Sequence, residues 1–269
     1  MTVHYHGGPI WGGDEIVKAC YSNGGALVSF ARPDQVKKIA ALRCRLALDN
    51  GAFSTWKSSK SSSSIINWDD HWRDYYMFVW RWYHRIEWFI IPDVIEGTQE
   101  ENDRQIARLP AFLREKAVPV WHSDESIERF IRLCEEFPRV AIGCCGPHRS
   151  IRSKAWRERM TEAFDAIYKE RNLPVKVHGL RMLDGRALGV FPFDSADSTN
   201  VATNVPKDQK RFPEVKDKLH RTAILRASIE KVKPPAVFEY QFCDDMSDPW
   251  GVYTEQKHRL QREDLEALI

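Results

Sequence analysis

The sequence predicts a single (β/α)8 TIM-like barrel, irregular in places, spanning residues 1–269. Three observations carry this expectation. Short apolar runs alternate with longer amphipathic ones along the chain, the order of parallel βα units. The short runs are rich in β-branched and aromatic residues and are bounded by turn formers, as strands are. The residues that close these runs are consistently polar, which suits strands that end at a functional mouth. A doubly wound open sheet is the rival arrangement.

Taken in order, the first predicted strand is "GALVSF" (25–30), followed by a helix over 33–41 that starts at Asp34 behind a proline. "RLALD" (45–49) is the second strand, and it leads into the serine-rich, basic segment "STWKSSKSSSS", which is expected to be a flexible loop. A helix over 68–85 precedes the strand "WFIIPD" (88–93). A helix over 98–115 precedes "VPVW" (118–121), and "SDES" caps a helix over 124–137. "RVAIG" (139–143), a helix over 153–171, "VKVHGL" (175–180), a short helix over 184–189, "FPFDSAD" (191–197) and a helix over 215–232 complete the alternation. An eighth strand is expected from "VHY" at the N-terminus or "AVFEYQF" near the end. In the aromatic run 68–89, Trp68, Trp72, Tyr75, Tyr76, Val79, Trp82 and Tyr83 fall at helical spacing. Such a stripe packs on a core.

Composition limits the function classes. A net charge of +2 over 269 residues, with 43% apolar residues, describes a chain with a full core that is no polycation, so contact with nucleic acid requires a local patch. Basic stretches at 148–159 and 207–221 follow late strands and fit either that rim or a solvated helix face. No run of eighteen apolar residues exists, and "MTVHYHGGPIWGG" lacks a signal peptide's apolar centre. A cytoplasmic location is expected, with no membrane contact. The six cysteines contain no CxxC pair, so reduced thiols and no bound zinc are expected. Dinucleotide and Walker patterns are absent, and no cofactor is expected.

The strand ends read Asp49-Asn50-Gly51, Pro92-Asp93, Trp121-His122, Gly143-Cys144-Cys145-Gly146, His178-Gly179 and Asp194 to Asn200. Any one of these fits a helix cap or a turn. As a set, they bring carboxylates and histidines to one rim. Carboxylates in an enclosed site have raised pKa values and suit proton transfer near neutrality.

Several stretches together resemble the tRNA-guanine transglycosylase superfamily, and more closely its DNA-modifying branch in phages and bacteria, the DpdA-like DNA-guanine transglycosylases. The stretches are "HYHGGPI", "ARPDQ", "DNGAFSTWKS", "IPDVIEG", "PVWH", "VAIGCCG", "HGLRML" and "SADSTN", which run from residue 4 to about residue 204. The resemblance implies a TIM barrel that exchanges guanine in a polynucleotide for a 7-deazaguanine base. It places Asp49 as acid/base, Asp93 on the purine edge, and Gly143 where backbone approaches the base. For the nucleophile it offers two spellings: "SADST" selects Asp197, the preferred one, and "FDS" selects Asp194. Asn50, Phe53, His122 and His178 are expected to line the substrate, with Lys57 and Lys60 touching phosphate and Trp56 stacking on a base. The family's CxCxxC…H zinc set has no counterpart after residue 145, where Cys243 is the only cysteine. That departure favours DNA over tRNA. A nucleoside glycosidase or deoxyribosyltransferase and a catalytically silent nucleic-acid-binding barrel are the alternatives. A protein partner or a second copy of the chain would supply further grip on DNA.

Overall fold

The computed structural model describes residues 3–62, 65–207, 209–210 and 212–235. Nine strand segments, β1 (Val3–Gly7), β2 (Gly25–Ser29), β3 (Arg45–Asp49), β4 (Trp88–Ile90), β5 (Ala117–Val118), β6 (Val120–His122), β7 (Arg139–Gly143), β8 (Lys176–Gly179) and β9 (Ser195–Ser198), form one sheet. Every pairing is parallel, and the order is β5-β4-β3-β2-β1-β9-β8-β7-β6. The two ends of that order, β5 and β6, are separated in the chain by Pro119 alone. Proline has no N–H to give a ladder, so one physical strand is interrupted in its middle. Its first half pairs with β4 and its second half with β7, and Ala141 N donates to Pro119 O at 2.9 Å. With 117–122 counted as one strand, eight parallel strands close into a barrel.

The eighth strand is the N-terminal one, β1, which lies between β2 and β9; the other candidate, 236–242, lies outside the described residues. The expected strands are otherwise present: 45–49 and 139–143 keep their bounds, 118–121 widens to 117–122 around Pro119, and the others are shorter or shifted. The largest trim is at 191–197, where the strand begins only at Ser195, because Pro192 cannot donate and Phe191 and Phe193 turn instead into the packing under the helices.

Helices α1 (Asp14–Tyr21), α2 (Val36–Ala40), α3 (Ala52–Ser62), α4 (Trp68–Trp82), α5 (Gln99–Ala107), α6 (Ile127–Glu136), α7 (Lys154–Phe164), α8 (Gly185–Val190), α9 (Asn200–Asn204) and α10 (Lys218–Glu230) join the strands. Side chains start several of them: Asn67, Thr98, Ser126 and Ser153 each accept a hydrogen bond from one first-turn N–H, and Asp217 accepts from two, which satisfies donors that have no partner within the helix. Pro110 ends the expected long helix over 98–115, and the chain continues as a 3-10 turn over Ala111–Lys116. On α4, Trp72, Tyr75 and Val79 are buried, and Tyr75 Oη donates to Ile90 O, so the aromatic stripe packs on the barrel.

The serine-rich segment is a helix, α3, and not a flexible loop through its described residues. Asn50 Oδ1 accepts from Ala52 N, and Thr55 N donates to Gly51 O, which starts the helix. Ser59, Ser61 and Ser62 turn their hydroxyls back onto carbonyls three or four residues earlier, which lets a polar run persist as a helix face.

Candidate active site

Strand alternation sorts the barrel's inward side chains into layers. The middle layer is Tyr5, Leu27, Ala47, Trp88, Ile90, Val118, Val120 and Ala141, with His178 packed edge-on against Tyr5 at 5.7 Å and tilted against Trp88 at 4.7 Å between ring centres. Two residues along, towards the C-terminal ends of the strands, the same faces present Ser29, Asp49, His122, Gly143 and Asp197. Towards the N-terminal ends they present Arg45, which pairs with Glu87, and Arg139.

At the C-terminal mouth, Asp49 closes β3. Burial, together with the carboxylates of Asp197 and Asp93, raises its pKa to about 6, against the lowering effect of Ser29 and the Gly51 N–H. Gly51 N donates to Asp49 Oδ2 at 3.1 Å, and Gly51 has φ +77°, so glycine is what permits this turn beside the acid. Asp197 is nearly buried; its Oδ1 accepts from Arg181 N at 2.8 Å and lies 3.4 Å from His178 Nε2. Asp93 follows β4, and its Oδ2 lies 3.0 Å from His122 Nε2. Burial alone would lower the pKa of His122, but Asp93, Cys145 and Glu125 outweigh it and hold the imidazole up at about 10. Gly143 faces that ring: a Cβ on Gly143 would meet His122 Nδ1 at 3.1 Å, so the glycine makes room for the imidazolium.

The structure therefore brings Asp49, Asp93, His122, Gly143 and Asp197 to one mouth. It does not do so with every candidate. Asn50 is buried and fully engaged: Nδ2 donates to Ile91 O and Asp93 Oδ1, and Oδ1 accepts from Ala52 N. It aims Asp93 and starts α3, and has no amide group left for substrate. His178 is completely buried beneath Asp197 and cannot touch a ligand in the mouth. Asp194 stands at the opposite end of the barrel, where Arg139 Nη1 donates to its Oδ2 at 2.6 Å. Arg139 is the first residue of β7, so Asp194 belongs with the strand starts.

Phe53 lies in the first turn of α3, and the Arg181 guanidinium sits over its ring at 3.7 Å from the centre. Phe53 follows β3 and Arg181 follows β8, with three strands between them in the ring, so this contact crosses the mouth. Arg181 has φ +59°, a conformation uncommon outside glycine and asparagine. Farther along α3, Lys57 is exposed, and Lys60 lies over Trp56 while pairing with Glu96 at 3.1 Å.

Arg139, Arg181 and Ser195 take part in this architecture and are missed by reasoning from strand ends. A signal for two of them exists in the period of two: Arg139 shares a face with Ala141 and Gly143, and Ser195 shares one with Asp197. Arg181 has no such signal, since it acts through a backbone N–H in a turn. Among the described residues, no group of three or more His, Cys, Asp or Glu side chains is arranged to hold a metal ion, and no helix is long and apolar enough to cross a membrane.

No family model matches the chain, and no curated protein matches it. Among solved structures, the chain is similar to the YdjI aldolase from Escherichia coli K12, at 10% identity and a TM-score of 0.30 over 86% of this chain and 87% of that one. A likeness of this size says nothing about chemistry, which rests on the side chains at the mouth.

Proposed function

We propose that the protein exchanges guanine in DNA for a 7-deazaguanine base through a covalent aspartyl–sugar intermediate. The observation that carries this reading is the contrast between two carboxylates at one mouth. Asp49 is held up at about 6, where a carboxyl can both give and take a proton near neutrality. Asp197 faces donors, the Arg181 N–H and the His178 ring nitrogen, which suit an oxygen that attacks. One carboxylate that exchanges a proton near neutrality and a second held by N–H groups support separate acid/base and nucleophile roles.

In the first half-reaction, an Asp197 oxygen forms a bond to C1′ as the C1′–N9 bond breaks, and Asp49 gives its proton to the departing guanine. In the second, the incoming base loses its N9 proton to Asp49, bonds to C1′ and frees Asp197. The sugar passes through oxocarbenium character on both sides, and the covalent adduct divides one hard step into two. The His122–Asp93 pair faces the leaving base with a fixed positive donor. The target nucleotide has to leave the duplex stack to enter the mouth, and the exposed Lys57 together with Trp56 fits a polynucleotide flank.

The test is nucleoside mass spectrometry on DNA from cells that co-express the protein with a supply of 7-deazaguanine. A modified deoxynucleoside is the expected product. Modification confined to tRNA would overturn the choice of DNA, and free sugar release without exchange would overturn base exchange itself.

A further inference from the structure

A column of polar side chains runs through the otherwise apolar barrel, and we propose that it makes His178 a positioning residue for Asp197. This rests on the role of Asp197 given above. The column begins at the N-terminal mouth, where Arg139 Nη1 donates both to Asp194 Oδ2 at 2.6 Å and to Ser195 Oγ at 2.9 Å. Ser195 Oγ in turn lies 2.9 Å from His178 Nδ1, and His178 Nε2 lies 3.4 Å from Asp197 Oδ1. His178 and Ser195 are wholly buried.

The groups at the two ends favour one direction. Arg139 can only donate, so it takes one of the two acceptor lone pairs of Ser195 Oγ. A carboxylate accepts, so the neutral imidazole that pairs with Asp197 carries its proton on Nε2 and accepts at Nδ1, where the serine O–H points. That proton faces Asp197. Burial keeps the ring in its neutral form by lowering its pKa, and the nearby Arg139 works in the same direction. The long Nε2 contact leaves this nitrogen without a well-formed partner in the resting state, which is costly in a dry core unless the site uses it. The N–H is therefore available to hold one carboxylate oxygen while the other attacks, and the rigid column beneath fixes its angle. Arg139 and Asp194 act as the anchor at the far end.

The experiment combines two readouts on the full chain. Long-range proton–nitrogen NMR on the wild-type protein reports the His178 tautomer whether or not the protein exchanges bases. The expected result is a single neutral form protonated at Nε2 from pH 5.5 to 8, giving way to mixed tautomers in Ser195→Ala. A proton on Nδ1 in the wild type would overturn the proposal. In the exchange assay, Ser195→Ala should lower kcat about tenfold with KM within about twofold, as expected for a contact made mainly in the transition state. His178→Leu should cost about 100-fold, and His178→Gln, which retains a donor at the depth of Nε2, should recover to within about threefold. A folded His178→Leu protein with wild-type kcat would overturn the positioning role. Absence of any exchange in the wild type would defeat the functional reading, and the tautomer measurement would still decide the column.

Discussion

Asp194 and Asp197 stand at opposite mouths of the barrel. Asp194 pairs with Arg139 at the first residue of β7, and Asp197 accepts from Arg181 just beyond the last residue of β8. Three strand residues span about 10 Å, enough to separate the floor of the barrel from its reactive rim. Asp197→Asn should therefore abolish base exchange while the fold and DNA binding persist, because an amide cannot attack C1′. Asp194→Asn should keep exchange to within about tenfold and lower the melting temperature, because it unties Arg139. Exchange by Asp197→Asn together with a dead Asp194→Asn would reverse the assignment.

Asp49 sets a pH dependence of stability. Its folded pKa of about 6 lies above its ordinary value of 3.8, so the folded state binds the extra proton between these values. Its contribution to stability is complete below about pH 4 and is lost as pH rises through about 6. Asp49→Asn removes a carboxylate that is disfavoured at neutral pH. With about 1.4 kcal/mol per pKa unit, the variant should be more stable than wild type by about 1–3 kcal/mol at pH 8 and by little at pH 4. Denaturant melts at the two pH values measure this, and an equal effect at both would refute it. Exchange should fall steeply in the same variant.

The His122–Asp93 pair has a raised histidine pKa of about 10. Its stabilisation is complete below the ordinary histidine value of 6.5 and is lost as pH rises through about 10. Ring-carbon NMR should show His122 charged at pH 8. Asp93→Asn should let it turn neutral between pH 6 and 8 and weaken base binding. A neutral His122 at pH 7 in the wild-type protein would contradict the pair.

Along α3, Lys60 is already matched by Glu96, whereas Lys57 is exposed. Lys57→Ala should weaken DNA binding at low salt and reduce the salt slope by about one. Lys60→Ala should do less, and Glu96→Gln should tighten binding. Binding that ignores all three changes would remove α3 from the nucleic-acid path.

The barrel was legible because its strands are short apolar runs that end in polar residues, a pattern imposed by burial on both faces along the strand and by a polar mouth at its end. The common placement of Asp49, Asp93, His122, Gly143 and Asp197 at one mouth was legible for the same reason. The lettered match "FDS" misled at Asp194, because sequence similarity does not report where a strand begins: Pro192 delays it to Ser195. Asn50 and His178 sit at the right strand ends, but neighbours engage the amide of Asn50 and bury His178 completely beneath Asp197, facts that only packing reveals. The helical state of 52–62 was hidden by its serines, whose hydroxyls find partners within their own helix.

The interruption at Pro119 has a further effect on how the molecule meets its surroundings. An open parallel sheet offers two unpaired rims to any passing extended chain, and proteins guard such rims with charge or coverage. Here both rims belong to one strand, so among the described residues the sheet has no free margin to which another chain could add. A second protein, or a second copy of this one, has to approach through helix faces or the loops at either mouth. Exposed Trp80 and Phe112, in contact on the outer helical layer at 5.2 Å between ring centres, belong to the first kind of surface. Recruitment by strand addition is closed to the sheet by the covalent path of the backbone itself.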